Sequence, residues 1–153
     1  MEKEFLEMIH EHKKIIYKVV SFYANAQSPF NDLYQEVVLN LWKGFPTFRG
    51  DSKVSTWMYK IALNSCISFF RKETLKPVYV ELTWEIPDYD NSDDIAELYN
   101  LIGRLGELER ALVLLYLEEK SYQEISDITG LTVTNVATKL CRIKNKLKEM
   151  SNE

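Results

Sequence analysis

The chain is predicted to be all-α, with two small helical domains joined by an acidic linker. Three observations predict this class. Apolar residues recur at three-to-four-residue intervals on both sides of the middle of the chain, the period of an amphipathic helix. Cap and stop residues punctuate those stretches. Between them the period disappears and the negative charge collects: the formal net charge of −4 divides into +3 over residues 1–72, −6 over residues 73–95 and −1 over residues 96–153. The expected organisation is therefore residues 1–72, a linker over 73–94, and residues 95–153.

The first domain opens with one long amphipathic helix, in which Phe5, Ile9, Ile16, Val19 and Tyr23 form the apolar stripe before Pro29 stops it. A second helix is expected from Asn31 or Asp32, with Asp32 and Gln35 as a capping box. It carries Leu33, Val37, Val38, Leu41 and Trp42, and Gly44 ends it. After the loop FPTFRGDSKV, a third helix over 55–71 holds Trp57, Met58, Tyr59, Ile61, Leu63, Phe69 and Phe70. Three helices of this length can close one small core.

From Glu73 to Asp94, Pro77 and Pro87 interrupt the chain and acidic residues alternate with Tyr79, Trp84 and Tyr89. Two readings stand on composition alone: a solvated tether, or an extended segment lying in a groove of a partner and anchored by its aromatics.

The second domain resumes at Ile95, Leu98, Leu101 and Ile102, followed by the very apolar ELERALVLLYLEE. Next come two short helices about a tight turn. Ser121 and Glu124 form an S-x-x-E capping box, Gly130 suits a left-handed helix end, and Thr132 caps the following helix. Ile125, Ile128, Leu131, Val136, Leu140, Ile143 and Leu147 supply the buried face, leaving Lys139, Arg142 and Lys146 elsewhere. From Val133 to Lys148 there are five Lys/Arg and no Asp/Glu. A basic amphipathic helix is often only a solvated surface. A Gly-containing turn between two capped helices is instead the geometry that presents the second helix to the DNA major groove.

Other function classes are excluded by composition and spacing. The chain is 46% hydrophobic and 27% charged, an ordinary globular balance. No apolar run approaches the roughly 20 residues that cross a bilayer, and MEKEFLEMIHEHKK lacks the apolar core of a signal peptide, so a cytosolic protein without membrane insertion is expected. Cys66 and Cys141 are expected to be buried free thiols. His10 and His12, at i and i+2, point to different sides of a helix, so no metal site is expected. The chain has no phosphate-binding glycine loop, nucleophile elbow or paired-carboxylate motif, so neither catalysis nor a cofactor is expected.

The segments DLYQEVVLNLWKGFPTFRGDSKVSTWMYKIALNSCISFFRK, from Asp32 to Lys72, and LGELERALVLLYLEEKSYQEISDITGLTVTNVATKLCRIKNKL resemble regions 2 and 4 of RNA polymerase sigma factors. The resemblance is to the extracytoplasmic-function group of the sigma-70 superfamily. D-L-x-Q-E-V, the aromatic-Arg-Gly-Asp-Ser loop, T-W-x-Y-x-I-A-x-N and S-Y-x-E-I occur in order at the expected separations.

That resemblance implies a subunit that binds core RNA polymerase and directs promoter recognition, DNA melting and transcription initiation in a bacterial cytoplasm, under an anti-sigma factor. Asp32, Gln35, Glu36, Leu39 and Trp42 match the surface for the clamp helices of the largest polymerase subunit. The loop residues Arg49, Asp51, Ser52 and Lys53 match the element that captures a flipped base of the −10 element, with Lys60, Asn64, Arg71 and Lys72 following the strand. In that helix Trp57, Ile61 and Phe69 are expected in the core, and Tyr59 is assigned to neither role. Thr134, Asn135, Thr138, Lys139 and Arg142 are the candidates for reading the −35 element, supported by Lys144 and Lys146. The acidic linker would thread the basic channel of the polymerase, its carboxylates standing in for phosphates.

The chain departs from the family pattern at Ala137, where a basic residue is common, at Gly106, where proline is common, and at Glu119-Lys120, where glycine is common. A stand-alone helix-turn-helix regulator and a decoy that occupies polymerase without starting transcription are the competing expectations.

Overall fold

The computed structural model describes residues 1–25, 28–50, 52–74 and 93–152. Among these the regular elements are helices: α1 (Glu2–Glu11), α2 (Lys13–Tyr23), α3 (Phe30–Gly44), a 3₁₀ turn (Phe45–Thr47), α4 (Val54–Thr74), α5 (Asp93–Gly103), α6 (Glu107–Leu117), α7 (Tyr122–Thr129) and α8 (Val133–Ser151). They form two compact units, Met1–Thr83 and Trp84–Glu153. The aromatics Tyr79, Trp84 and Tyr89, with Asp88 and Asp90, lie outside the described residues.

In the first unit α4 packs against both α2 and α3. Ile16, Val19, Val20 and Tyr23 from α2, Leu33, Val37 and Leu41 from α3, and Met58, Tyr59, Ala62, Leu63 and Cys66 from α4 are buried together in its core. The i, i+4, i+8 spacing of Leu33, Val37 and Leu41 is what turns one face of α3 inward. One polar bridge crosses between α3 and α4: Asn40 Nδ2 donates to Ser65 Oγ at 2.8 Å, and Ser65 Oγ donates to the Ile61 carbonyl at 2.6 Å. Tyr59, unassigned from sequence, is a core residue, only 3% exposed.

Three expectations about the helices before α4 are corrected. The single N-terminal helix is two, interrupted at His12 (φ −114°, ψ 19°), whose ring Nδ1 lies 3.1 Å from the Met8 carbonyl. The interruption lets α1 bury Phe5 and Met8, while Ile9 is only half-buried. Phe5 sets its ring edge-on to Trp42 at 5.0 Å and to Phe45 at 5.5 Å. Second, α3 starts at Phe30, with Pro29 in the cap position and no side-chain cap bond, so Asp32 and Gln35 do not form the expected box. A proline there loses nothing by lacking an N–H, because the first helical amides have no intrahelical partner. Third, Gly44 is right-handed (φ −85°) and leads into the 3₁₀ turn. A Cβ at this position would stand 3.2 Å from Ile61 Cδ1 and 3.5 Å from Trp57 Cζ2, so the glycine serves a close approach of α3 to α4. Val38 is half-buried, and Trp42, at 40% exposure, lies at the surface.

The second unit is built around α6, whose residues Ala111 to Leu115 are all buried and which meets α5, α7 and α8. Arg110 is buried with them, 5% exposed, because its guanidinium caps the end of α5: Nε donates to the Leu105 carbonyl at 3.2 Å and Nη2 to that of Gly103 at 2.5 Å. Ile102 is core, whereas Leu98 is 38% exposed and the Ile95 side chain lies outside the described residues.

Both ends of α7 follow the sequence. Ser121 Oγ accepts from the Glu124 N–H at 3.1 Å and Glu124 Oε1 accepts from the Ser121 N–H at 3.2 Å, a complete capping box. Gly130 is left-handed (φ 82°), and Thr132 Oγ1 accepts from the Asn135 N–H at 3.1 Å to start α8. The departure at Glu119 has a backbone consequence. Glu119 is left-handed (φ 60°), its N–H bonds to the Tyr116 carbonyl, and the Lys120 N–H bonds to that of Leu115. These two bonds make a Schellman end to α6 with glutamate in the position that favours glycine.

Candidate nucleic-acid interface

At 100° per residue the buried Val136, Leu140 and Ile143 define the inner face of α8. The opposite face carries Thr134, Thr138, Cys141 and Asn145, all exposed. Asn135, Lys139, Arg142 and Lys146 run along one flank; Lys144, Lys148 and the half-buried Ala137 lie on the other. An uncharged polar strip is thus bordered by cations on both sides. Thr138 Oγ1 donates to the Thr134 carbonyl at 3.0 Å, which leaves the threonine methyl and an oxygen lone pair outward.

Cys141 was expected to be buried and is exposed. The apolar stripe of α8 passes through positions 136, 140, 143 and 147, and position 141 falls outside it. Cys141 and Asn145 were absent from the expected reading set; their i+3 and i+7 spacing from Thr138 was the signal that placed them on the same face.

Two of the cations are engaged within the unit. Lys146 Nζ lies 3.1 Å from Glu109 Oε1, and Lys144 Nζ lies 4.2 Å from the centre of the Tyr116 ring. Tyr116, by hydrogen bond and charge, holds the Lys144 ammonium above its usual value. Partial burial would raise the Glu109 carboxyl, but the Gly106 N–H, Lys146 and Lys139 outweigh it and hold the group below the usual carboxylate range.

In the first unit Arg49, Ser52 and Lys53 are exposed in the loop between the 3₁₀ turn and α4, with Gly50 left-handed (φ 76°) among them. Asp51 and the Lys72 side chain lie outside the described residues. Lys60, Asn64 and Arg71 are exposed at i, i+4 and i+11, so they share one face of α4, which Lys53, immediately before the helix, continues. Trp57, Ile61 and Phe69 were expected in the core and are only half-buried. The Trp57 ring lies 4.7 Å from that of Phe48 at an interplanar angle of 30°, so an aromatic pair forms the base of the loop.

On α3, Asp32, Gln35, Leu39 and Trp42 are exposed at i, i+3, i+7 and i+10, a single stripe with the half-buried Glu36 beside it. Gln35, Leu39 and Trp42 of this stripe, with Phe5 and Leu6 of α1, line a groove of about 440 Å³. The contribution of α1 was not legible in the sequence, because it depends on the interruption at His12. Among the described residues no group of His, Cys, Asp and Glu could hold a metal ion, and no helix is long and apolar enough to cross a membrane.

Comparison with known proteins agrees with this arrangement. Sigma-70 region 2 matches residues 8–75, and Sigma-70, region 4, matches residues 95–147. The chain is 26% identical over 137 residues to RNA polymerase sigma factor SigV of Bacillus subtilis, covering 88% of this chain and 82% of that protein. It is 27% identical over 150 residues to ECF RNA polymerase sigma factor SigG of Mycobacterium tuberculosis, covering 76% of this chain and 40% of that protein. Its fold is similar to that of the sigma factor RpoE, solved in complex with the anti-sigma factor NepR from Bartonella quintana. The TM-score of that comparison is 0.76, with 20% identity over 99% of this chain and 96% of that one. With both family regions matched in order on two helical units, the chain belongs to the sigma-70 family of RNA polymerase sigma factors, in its extracytoplasmic-function group.

Proposed function

We propose that this sigma factor divides its work among three surfaces, each carried by a helix face described above. As a member of its family it is a non-enzymatic initiation factor that binds core polymerase and promoter DNA. The stripe of Asp32, Gln35, Leu39 and Trp42, with Glu36 beside it, meets the clamp helices of the largest polymerase subunit. Its carboxylates provide register through charge-assisted bonds, and Leu39 and Trp42 provide buried area. The loop Arg49–Lys53 and the face of α4 with Lys60, Asn64 and Arg71 engage the −10 strand, Phe48 and Trp57 bracing the loop from below, and Lys72 is assigned to the same strand from its sequence position.

The α8 face reads the −35 element. Thr134, Asn135, Thr138 and Arg142 meet base edges, joined by Cys141 and Asn145, while Lys139, Lys144 and Lys146 meet phosphates. The observation that carries the DNA assignment is the exposed polar strip of α8 bordered by cations, set directly after a left-handed glycine turn. The likeness to RpoE bound to NepR supports an anti-sigma partner for this chain, and dependence on bacterial polymerase supports a bacterial cytoplasmic location.

Co-elution with sigma-free core polymerase in size exclusion tests the reading. Wild type is expected to travel with the core, and the Glu36→Lys, Trp42→Ala double variant is expected to elute alone. Co-elution of the variant as strong as that of wild type would remove the α3 assignment.

A further inference from the structure

Glu109 is on α6, yet it faces the basic flank of α8. Its Oε1 accepts from the Gly106 N–H at 3.0 Å and from Lys146 Nζ at 3.1 Å. It also lines a cleft of about 210 Å³ between α6 and α8 with Leu108, Leu112, Lys139, Arg142 and Ile143. One carboxylate therefore stands against the three cations at i, i+3 and i+7 of the helix assigned to DNA. The side chains of Lys146 and Glu109 remain 48% and 33% exposed, and an ion pair so open to water adds little to stability. The Gly106 bond needs only a carbonyl-type oxygen, which an uncharged side chain would also supply. The negative charge itself thus makes only a small contribution to the fold, which does not account for its place against the cations.

We propose that Glu109 is an electrostatic brake on DNA binding: it occupies Lys146 and offsets the field of Lys139, so that a DNA phosphate must displace it to gain those cations. This rests on the assignment of α8 to DNA. Because phosphates carry no sequence information, the brake lowers affinity for all DNA alike. Base contacts are left with a larger share of the total, and the factor depends more on polymerase to reach a promoter. Glu109 is here a positioning residue, acting through Lys146.

Each phosphate neutralised contributes about 0.9 to the slope of log K against log salt. Releasing Lys146 for one phosphate then tightens binding about eightfold at 0.1 M salt relative to 1 M. The test is fluorescence anisotropy of the full chain with a short random-sequence duplex across a salt series, using wild type, Glu109→Gln, Lys146→Gln, the double variant and Lys144→Ala. Glutamine keeps an oxygen for the Gly106 N–H and removes only the charge. Glu109→Gln is expected to tighten binding several-fold and to steepen the salt slope by about 0.9, and the gain is expected to vanish in the Lys146→Gln background. If wild type binds with a salt dependence that Lys144→Ala weakens, while Glu109→Gln leaves the slope unchanged, the brake is refuted and the DNA assignment stands. If no variant shows salt-dependent binding, the assignment of α8 falls and the brake falls with it.

Discussion

Two residues at the ends of neighbouring helices adopt the same left-handed backbone, and one perturbation experiment reads both. Gly130 has φ 82° and Glu119 has φ 60°. For an L-residue this conformation costs about 1–2 kcal/mol relative to glycine. Glycine in turn gives the unfolded chain more freedom, worth about 0.4–1 kcal/mol. Nothing lies within 4 Å of a Cβ built on Gly130, so Gly130→Ala meets no clash and its cost is backbone alone. Subtracting the two terms gives a loss of about 1 kcal/mol for Gly130→Ala and a gain of similar size for Glu119→Gly. Gly130→Asn should fall between Ala and wild type, because asparagine tolerates the left-handed region.

Hydrogen exchange of the α7 and α8 amides is the appropriate assay, since it reports the second unit separately from the first. A change of 1 kcal/mol appears there as about a fivefold change in opening equilibrium. Gly130→Ala should speed exchange by about that factor, Glu119→Gly should slow it, and the double variant should return close to wild type. Equal exchange in Gly130→Ala and wild type would refute the reasoning. Faster exchange in Glu119→Gly would equally show that the glutamate side chain matters more than its backbone.

The two thiols should separate cleanly under a thiol-reactive reagent: Cys141 reacts in the native protein, whereas burial pushes the Cys66 thiol up and keeps it unreactive until denaturant is added. Two fast equivalents in the native state would contradict the placement of Cys66. Acid titration should expose the Glu109 contacts. A carboxyl held below its ordinary 4.5 stabilises the fold above that pH and loses the contribution as pH falls through the lower folded-state value. Lys146→Gln should therefore flatten the acid side of the melting-temperature profile, and an unchanged profile would remove Lys146 from that balance. Replacing Asp88 and Asp90 by lysine, outside α5, which begins at Asp93 and takes in Asp93 and Asp94 of the expected linker, should reduce transcription by holoenzyme more than it reduces helicity; undiminished transcription would count against a linker that follows a basic channel.

Much of the second unit was legible because its signals are local. Ser121 with Glu124, Gly130 and Thr132 each act within four residues, and the structure forms all of them. The errors fell where distant residues decide. Nothing near His12 resembles a helix stop, and what rewards the interruption is the burial of Phe5 against Trp42 and Phe45, more than 35 positions away. Gly44 looked like a helix end and proved to be a clearance for Ile61 and Trp57 of another helix. Asp32 and Gln35 had the spacing of a cap, but Pro29 had already fixed the start of α3. On α8 the period located the buried face, yet the attention given to charge passed over the uncharged Cys141 and Asn145. The pairing of Lys146 with Glu109, 37 residues apart, had no sequence signature at all.

The close contact at Gly44 and the Asn40–Ser65 bridge have a mechanical consequence. They fasten α3 to α4, one where side chains of α4 reach the α3 backbone and one through a part-buried polar link, and the two helices share one core. Under the proposed assignment, the face that polymerase grips and the face that follows the −10 strand belong to a single rigid block. The placement of promoter DNA is then inherited from the grip without an intervening joint. A side chain larger than hydrogen at position 44 would press first on the Ile61 and Trp57 side chains beneath the DNA-facing stripe, while leaving every proposed contact residue in place.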